Sequence, residues 1–308
     1  MKEQVFISLV IYVYNKESII SSSLKRILDF LNESFEKYEV IIVNDASNDK
    51  TKAEIKKFTK DNNQSNVTNI NMSRKHGLET AILVGVDFSI GDFVLEIDSP
   101  EMPFDLKILY NLYEKSCEGF DIVSLKLKRN RNWSSTWFYY ILNRFSNTNI
   151  NYDSEICYII TRRAINSISR IKDKIKYRKV LHNISGFKKG AITIDLNIKI
   201  KTPTSFAEKI KMATDILFSF TDIGYKLNVY MTFFFMFVSV FLGSYSIYQY
   251  LFNETVVEGW TTVMLFMSFG FTGVFTVLSI INKYISILMK EIRTLPPYTI
   301  ESIEKNYN

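Results

Sequence analysis

The stretch Val40-Ile41-Ile42-Val43-Asn44-Asp45 decides the fold class of this 308-residue chain. Its branched apolar residues form an uninterrupted run, and two polar residues follow directly. A continuous run of Val and Ile is typical of a strand that is buried on both faces, as in a parallel sheet covered by helices. The run Phe93-Val94-Leu95-Glu96-Ile97, followed by Asp98, has the same form. The sequence therefore predicts an α/β fold in which polar side chains follow buried strands.

Short apolar runs alternate with amphipathic stretches on either side of this segment, which predicts βα units in a mostly parallel sheet. The predicted strands are Val5–Val13, Glu39–Asn44, Val67–Asn71, Asp92–Asp98 and Asp121–Leu125. The predicted helices are Glu17–Asn32, Thr51–Lys60, Leu78–Ser89 and Asp105–Cys117. Because ligands bind beyond the carboxyl ends of strands in such sheets, the residues that follow each strand are the candidates for chemistry.

Two segments near the C-terminus, residues 227–253 and 259–282, contain no charged residue. About 20 apolar helical residues suffice to cross a bilayer, so each segment predicts a transmembrane helix. Two buried core helices are the alternative, which is disfavoured because core helices are rarely free of charge over such lengths. Lys residues flank the pair, whereas the link at 253–258 holds two Glu and no base. By the positive-inside rule both termini then face the cytoplasm.

The region before the first span is strongly basic. Between residues 162 and 201, 12 Lys and Arg stand against 2 Asp, although the whole chain carries only +6. A solvated surface is one interpretation, and attraction to anionic headgroups or lipid phosphates is the other. The predicted domains are a catalytic domain over 1–200, an interfacial amphipathic helix over 201–226, spans over 227–253 and 259–289, and a cytoplasmic tail over 290–308.

Polar motifs stand at three predicted strand ends: Ser8–Glu17, Val43–Thr51 and Ile97–Glu101. Together with the segment Ser73-Arg74-Lys75-His76-Gly77, and with Ala81 and Gly85, they resemble a family 2 glycosyltransferase of the GT-A fold, a Rossmann-like α/β domain with a mostly parallel sheet. The resemblance is to polyprenyl-phosphate sugar synthases of the dolichol-phosphate-mannose and bactoprenol-glucose type.

The resemblance continues beyond the catalytic domain and covers nearly the full length of the chain. It includes Thr204-Ser205-Phe206, the segment Gly259-Trp260-Thr261-Thr262 at the start of the second span, and Pro297-Tyr298 near the end. It implies an integral membrane protein of a bacterial inner membrane, with two spans and both termini cytoplasmic.

The resemblance also implies a site for a nucleotide-sugar donor. The residues it places there are Tyr14, Asn15, Glu17, Asp45, Arg74 and Asp98. Asp45, directly after a strand, is positioned to accept hydrogen bonds from the base or the ribose. The alternative is that the stretch from Asp45 to Thr51 only caps the next helix, with Asp49 as the cap.

A divalent cation is expected beside the donor diphosphate. Asp98 matches the first acid of the family's Asp-x-Asp motif, whose oxygen ligands suit Mg²⁺ or Mn²⁺ as a Lewis acid on the leaving group. Pro100 stands where the second acid is expected. Glu101 is the candidate substitute ligand, although a shift of one residue at the end of a strand turns the side chain to the other face.

Asp98 and Glu155 are the predicted catalytic residues. In the family an Asp precedes a Phe-Arg-Leu run and acts as general base, and by ungapped count Ile156 takes its place here. Glu155 or Asp153 would serve after a small change of register, while Tyr158 replaces the arginine. A phosphate acceptor is already ionised, so it needs little help from a base.

The predicted function is transfer of a hexose from a nucleotide sugar to a polyprenyl phosphate at the cytoplasmic leaflet. One alternative is a transferase that extends a lipid-linked saccharide or a surface glycan. Another, motivated by Pro100, is a non-catalytic relative that acts as a binding or assembly subunit. The expected partners are the nucleotide sugar, the lipid and the membrane. A homo-oligomer is left open, and no nucleic acid is expected.

Overall fold

The computed structural model describes residues 2–61, 66–127, 154–169, 178, 181–182, 185–195, 230–235, 237–238, 241, 259–292 and 298–305. The chain divides into two compact units. The first comprises Met1–Trp133, Ile150–Ile200 and Leu295–Asn308, and the second comprises Ser134–Asn149 and Lys201–Thr294.

An eight-stranded sheet is the framework of the first unit. Its strands are β1 (Glu3–Val13), β2 (Phe35–Asn44), β3 (Val67–Met72), β4 (Phe93–Ile97), β5 (Ile122–Leu127), β6 (Ser154–Thr161), β7 (Lys189–Ile194) and β8 (Ile300–Lys305). They lie in the order β7-β5-β6-β4-β1-β2-β3-β8. Strand β6 runs antiparallel to β4 and β5, and β8 runs antiparallel to β3, while the other neighbouring pairs are parallel. The predicted mostly parallel sheet is confirmed.

In the described part of this unit, five helices pack on the sheet. They are α1 (Ile20–Ser34), α2 (Thr51–Asp61), α3 (Leu78–Phe88), α4 (Lys107–Cys117) and α5 (Arg162–Ile168). The predicted strands and helices are confirmed to within a few residues, except that α1 begins after the predicted Glu17. The reason is that the Glu17 N–H donates to the Asp49 carboxylate at 3.2 Å, which holds this segment in a loop. Strands β6 and β7 are not among the predicted strands, and β8 lies in the segment 290–308 that was predicted as a cytoplasmic tail.

The core has an apolar layer on each face of the sheet, which explains the continuous apolar runs. Successive side chains of a strand point to opposite faces. Accordingly Leu9 and Ile11 belong to one buried cluster, and Val10 and Tyr12 belong to the other. Helix α3 packs closely on the second layer at Gly85, where an added Cβ would lie 2.3 Å from Val10 Cγ1.

The second unit contains α6 (Gly259–Ile292). Among the residues that the structure describes, it is the one helix long and apolar enough to cross a membrane, over Phe269–Leu288, with a mean hydropathy of 1.5. Only 12 % of that stretch is buried. A core helix of a soluble protein is mostly buried, so this exposure agrees with a lipid-facing helix.

The other predicted span, residues 227–253, lies largely outside the described residues, so two spans are not confirmed. Residues 230–235, 237–238 and 241 are helical. Phe235 contacts α6 closely, because a Cβ added at Gly273 would lie 2.5 Å from its ring. The predicted amphipathic helix at 201–226 lies outside the described residues.

Candidate functional site

The connections of the sheet change direction between β1 and β4. From β1 the chain proceeds through β2 to β3 on one side, and β4 then pairs with the other side of β1. In open parallel sheets the ligand crevice lies at the carboxyl ends of the strands at such a switch point. Those ends carry Tyr14–Glu17 after β1 and Asp98 after β4, so the topology brings these predicted residues to one edge.

The loops after β1 and β2 are locked together by side chains from both. The Asn15 N–H donates to Ser47 Oγ at 3.0 Å, and Asn15 Oδ1 accepts from the Asn48 N–H at 2.9 Å. The Glu17 carboxylate accepts from the Lys50 N–H at 2.9 Å. Asn15 and Glu17 therefore fix the shape of the edge, and their contact with a donor stays a prediction.

Two residues of these loops have a left-handed backbone, Asn15 with φ 51° and Ala46 with φ 53°. Asn tolerates this conformation, whereas for an alanine it costs about 1 kcal/mol. Such strained positions concentrate at ligand sites, where the surrounding structure maintains them.

Asp45 is completely buried. Its carboxylate accepts hydrogen bonds from the backbone N–H groups of His76 and Gly77 at 2.7 and 2.8 Å, and from the Tyr12 hydroxyl at 3.2 Å. Burial, and secondarily the Asp45 charge, raise the pKa of Tyr12 far above its usual range, which keeps the hydroxyl a donor. In this arrangement Asp45 positions the loop at 73–77 from beneath.

The loop at 73–77, which Asp45 holds, carries two exposed cations. Arg74 and Lys75 are exposed, and Lys75 Nζ lies 4.2 Å from the centre of the Tyr14 ring, a cation–π contact. Thr299, just before β8, supports the loop from outside by accepting a hydrogen bond from the Ser73 N–H at 3.1 Å. Tyr14 and the cations of this loop therefore lie close together, and their contact with a donor stays a prediction.

Asp98, the predicted metal ligand, is paired with a buried arginine. The Arg178 guanidinium donates to Asp98 Oδ1 through Nη2, and to Glu96 Oε2 through Nη1 at 2.8 Å. The Arg178 N–H also donates to Glu79 Oε2 at 2.9 Å. Arg178 is 0 % exposed, and Glu96 is 1 % exposed. The guanidinium thus donates to two acidic side chains, and the backbone N–H of the same residue donates to a third.

The pKa directions in this cluster follow from burial. Burial raises the pKa of Glu96 to about 7, although Arg178 opposes the shift by favouring the ionised form. For Arg178, burial alone would lower the pKa, but Asp98, Glu96 and Glu79 outweigh it, and the pKa is raised well above its usual value. Arg178 is therefore a permanent cation in this cluster.

Glu155, the predicted base, lies at the same edge. Because β6 is antiparallel to β4, its first residues stand beside Asp98, whose N–H donates to the Ile156 carbonyl at 3.3 Å. The Glu155 carboxylate accepts from the Tyr158 hydroxyl and lies 3.8 Å from Lys126 Nζ. The Tyr158 ring is 5.3 Å from the Arg178 guanidinium carbon. The structure thus brings both predicted catalytic residues together through Tyr158 and Arg178.

The other residues expected near a metal do not join Asp98. Glu101 pairs with Lys16. Pro100 is buried, and its carbonyl accepts from Ser23 Oγ at 2.9 Å. Within the described ranges no group of three or more His, Cys, Asp or Glu is arranged to hold a metal ion. The residues present do not fit the divalent cation that the resemblance implies.

Sequence reasoning missed Arg178 and Glu96. Arg178 is one of many bases in a stretch without a periodic pattern, so nothing local distinguishes it. Glu96 carried a signal, because it is a charged residue inside the otherwise apolar run of β4. A buried carboxylate requires a partner, which predicts that a cation lies opposite without saying which. His182 lies in the same cluster, with its Nε2 3.9 Å from Glu96 Oε1.

Comparison with known proteins identifies similar chains over nearly the full length. The profile of the family described as Glycosyl transferase family 2 matches residues 8–169. An uncharacterized glycosyltransferase of Synechocystis sp. is 24 % identical over 305 residues, which cover 96 % of this chain and 95 % of that protein. The bactoprenol glucosyl transferase of Shigella phage SfX is 22 % identical over 305 residues, 96 % of this chain and 99 % of its own.

Solved structures are more distant. Mannosyl-3-phosphoglycerate synthase from Rubrobacter xylanophilus has a TM-score of 0.49 and 14 % identity, over 70 % of this chain and 72 % of that one. Glucosyl-3-phosphoglycerate synthase from Mycobacterium tuberculosis, solved with Mn²⁺, uridine diphosphate and phosphoglyceric acid, has a TM-score of 0.45 and 15 % identity, over 70 % and 77 %. At these TM-scores no residue role is transferred to this chain.

Proposed function

Because this chain belongs to glycosyl transferase family 2, we propose that it transfers a hexose from a nucleotide sugar to a polyprenyl phosphate at the cytoplasmic leaflet of a bacterial inner membrane. The family and the enzyme class predicted from the sequence are thereby confirmed. The lipid acceptor is supported by the relatives named bactoprenol glucosyl transferase, which match this chain over 96 % of its length.

The observation that supports binding of a nucleotide-sugar donor is that polar residues lie together at the switch point of the sheet. Tyr14 follows β1 and Asp98 follows β4, the two strands of the switch point, and Arg74 is exposed on the loop that follows β3. The leaving diphosphate gains negative charge during transfer, and fixed positive groups stabilise that charge. In this proposal Arg74 contacts the phosphates, Asp45 holds the loop that carries Arg74, and Asn15 and Glu17 fix the neighbouring loop.

The acceptor half depends on Glu155 at the start of β6. A polyprenyl phosphate is already ionised at neutral pH, so its attack on the sugar requires orientation more than proton removal. Glu155 is 13 % exposed and linked to Tyr158 and Lys126. We assign it the task of orienting Lys126 towards the acceptor phosphate, while its hydrogen bond from the buried Tyr158 hydroxyl holds the carboxylate in place.

Helix α6 supplies the physical reason for a lipid acceptor. Taking a long isoprenoid out of the bilayer costs about 0.8 kcal/mol per methylene, so the enzyme has to come to the lipid. A mostly exposed apolar helix at Phe269–Leu288 fits such an anchor. We propose a second span over residues 227–253, with both termini cytoplasmic.

The proposal is tested by transfer of labelled sugar with the detergent-solubilised full chain. UDP-glucose and GDP-mannose are the donors, undecaprenyl phosphate is the acceptor, and the label is counted after extraction into organic solvent. We expect a labelled lipid, and we expect Asp98→Ala to lower its rate at least about 100-fold, because Arg178 loses the acceptor that positions its guanidinium at this edge of the sheet. Arg163→Gln is the matched control, since Arg163 pairs with Asp121 at the far end of β6.

The alternatives give different outcomes. If the label enters only pre-formed lipid-linked saccharide or surface glycan, then that glycan, and not polyprenyl phosphate, is the acceptor. Absence of turnover with every donor, while Asp98→Ala changes nothing, would favour a binding or assembly subunit.

A further inference from the structure

Strand β4 brings two carboxylates to the donor site on the same side. Glu96 and Asp98 are two residues apart, so their side chains point to the same face at the end of the strand. Glu79 of α3 approaches from above. Glu96 is buried, and Asp98 is 16 % exposed. Clustered carboxylates with so little access to water need a cation close to them.

The chain supplies that cation itself. Arg178 has hydrogen bonds to Glu96 and Asp98, and its Nε lies 3.7 Å from Glu79 Oε2. Beneath the guanidinium lies the Tyr158 ring. A guanidinium is planar and presents a fork of donors, so it can serve two carboxylates at once. One of the two Asp98 oxygens that a divalent ion would need is therefore already paired with the Arg178 guanidinium.

The chain also lacks the second half of a metal site. Pro100 has no side-chain oxygen, and its buried turn is fastened to α1 through Ser23. Glu101 points to Lys16 and is 51 % exposed. The loss of ligands at Pro100 and Glu101 and the pairing of Asp98 with Arg178 are two independent observations. Each leaves fewer oxygen ligands for a divalent ion beside Asp98.

We propose that Arg178 is a built-in counterion of the donor site, so that this chain binds the diphosphate of its donor without a divalent cation. The inference rests on the proposed function, because it concerns the donor. Arg178 is 0 % exposed, so it is a positioning residue: it cancels the charge of Glu96 and Asp98, which would otherwise repel phosphate. The phosphates themselves meet Arg74, which is exposed.

The first arm of the test measures nucleotide affinity. UDP and GDP are titrated calorimetrically into the detergent-solubilised full chain, in excess EDTA and in millimolar Mn²⁺. We expect the nucleotide that binds to have the same dissociation constant in both solutions, within about twofold. Binding that requires Mn²⁺ in the wild-type chain would overturn the proposal.

The second arm separates positioning from a merely structural role. In Arg178→Gln the carboxylates are uncovered, so we expect affinity in EDTA to fall about tenfold or more, and Mn²⁺ to restore most of it. A structural residue would lower affinity equally in both solutions, and that result would contradict the inference. Arg178→Lys keeps the charge and should still bind in EDTA. The control Arg163→Gln should behave as wild type. Should Arg178→Gln not fold, the wild-type and Arg178→Lys titrations decide.

The third arm uses Mn²⁺ alone, followed by electron paramagnetic resonance of the nucleotide-free chain. We expect no more bound Mn²⁺ in wild type than in Asp98→Ala. A stoichiometric site that Asp98→Ala abolishes would overturn the inference even if no nucleotide binds. If neither UDP nor GDP binds in either solution, the result counts against the proposed function. The Mn²⁺ measurement needs no nucleotide, so it would still test the role of Arg178.

Discussion

Two carboxylates at the tips of the sheet, Asp45 after β2 and Asp98 after β4, are stabilised by different kinds of partner. Asp45 is satisfied by two backbone N–H groups and one hydroxyl, all neutral donors. Asp98 is held by the guanidinium of Arg178. The first acid therefore fixes the shape of a loop through its hydrogen bonds. The charge of the second is cancelled by a cation in direct contact.

The two acids therefore affect a bound phosphate in different ways. Asp45 is buried and its oxygens accept from backbone donors, so it acts on a ligand only through the loop it holds. A carboxylate at the surface of a crevice repels phosphate unless a cation stands beside it. Substitutions around Asp98 should therefore have larger effects than substitutions around Asp45.

Removing the cation should have the largest effect on stability. Arg178→Met leaves Glu96 and Asp98 close together with little water, and breaking a buried ion pair in this way costs about 3–5 kcal/mol. The measurement is the thermal unfolding of the detergent-solubilised chain.

A double-mutant cycle with Glu96→Leu supplies the control for this loss. If the cost comes from uncompensated charge, the double variant Arg178→Met/Glu96→Leu should recover most of it. Additive losses would show that Arg178 stabilises by packing alone.

The pH dependence of stability should report Glu96, which faces Arg178, Asp98, Glu79 and His182. Its pKa is raised to about 7 by burial, from an ordinary value of 4.5. A raised acid pKa means that the folded chain binds the proton more tightly, so the contribution of this group is fully present below about pH 4.5 and is lost as the pH rises through about 7. We expect the unfolding temperature of wild type to fall across this window. Glu96→Gln should flatten the profile, and an unchanged slope would contradict the assignment.

Weakening the hydrogen bonds to Asp45 should lower the free energy of unfolding by a smaller amount. Asp45→Asn presents an NH₂ group to one of three donors, which leaves a buried donor unsatisfied and costs about 1–3 kcal/mol. Because the 73–77 loop carries Arg74, we also expect weaker nucleotide binding in the same titration. Full affinity in Asp45→Asn would separate the loop from the donor site.

Tyr12→Phe should have the smallest effect. It removes one of the three donors to Asp45 and keeps both backbone bonds, so the expected loss is about 1 kcal/mol. The unfolding temperature measures it, and a loss as large as that of Asp45→Asn would mean that the hydroxyl, not the backbone, holds this carboxylate.

The sequence predicted the parts of the molecule that depend on local pattern. The apolar runs identified β1 to β5, and the residues after them identified Asp45 and Asp98, since periodicity and chain order suffice for both. Asp45 contacts Tyr12, His76 and Gly77, which are themselves at strand or helix ends, so the edge was foreseeable although the contacts were not.

The remaining parts depend on tertiary contacts. Strand β6 is recognisable only by its pairing with β4 and β5, and Arg178 meets Asp98 from a segment 80 residues away. Only the charge at Glu96 indicated that a buried cation was needed. The expectation of Mg²⁺ or Mn²⁺ came from the resemblance, whereas the pairing of Arg178 with Asp98 depends on the fold of the whole unit.

The most direct measurement of the whole account is transfer of labelled sugar to undecaprenyl phosphate by the wild-type chain in excess EDTA. The account predicts lipid-linked label at the rate seen with added Mn²⁺, and loss of that label in Asp98→Ala. Label that forms only when Mn²⁺ is present would contradict it, because the guanidinium would then not be the cation on which the donor site depends.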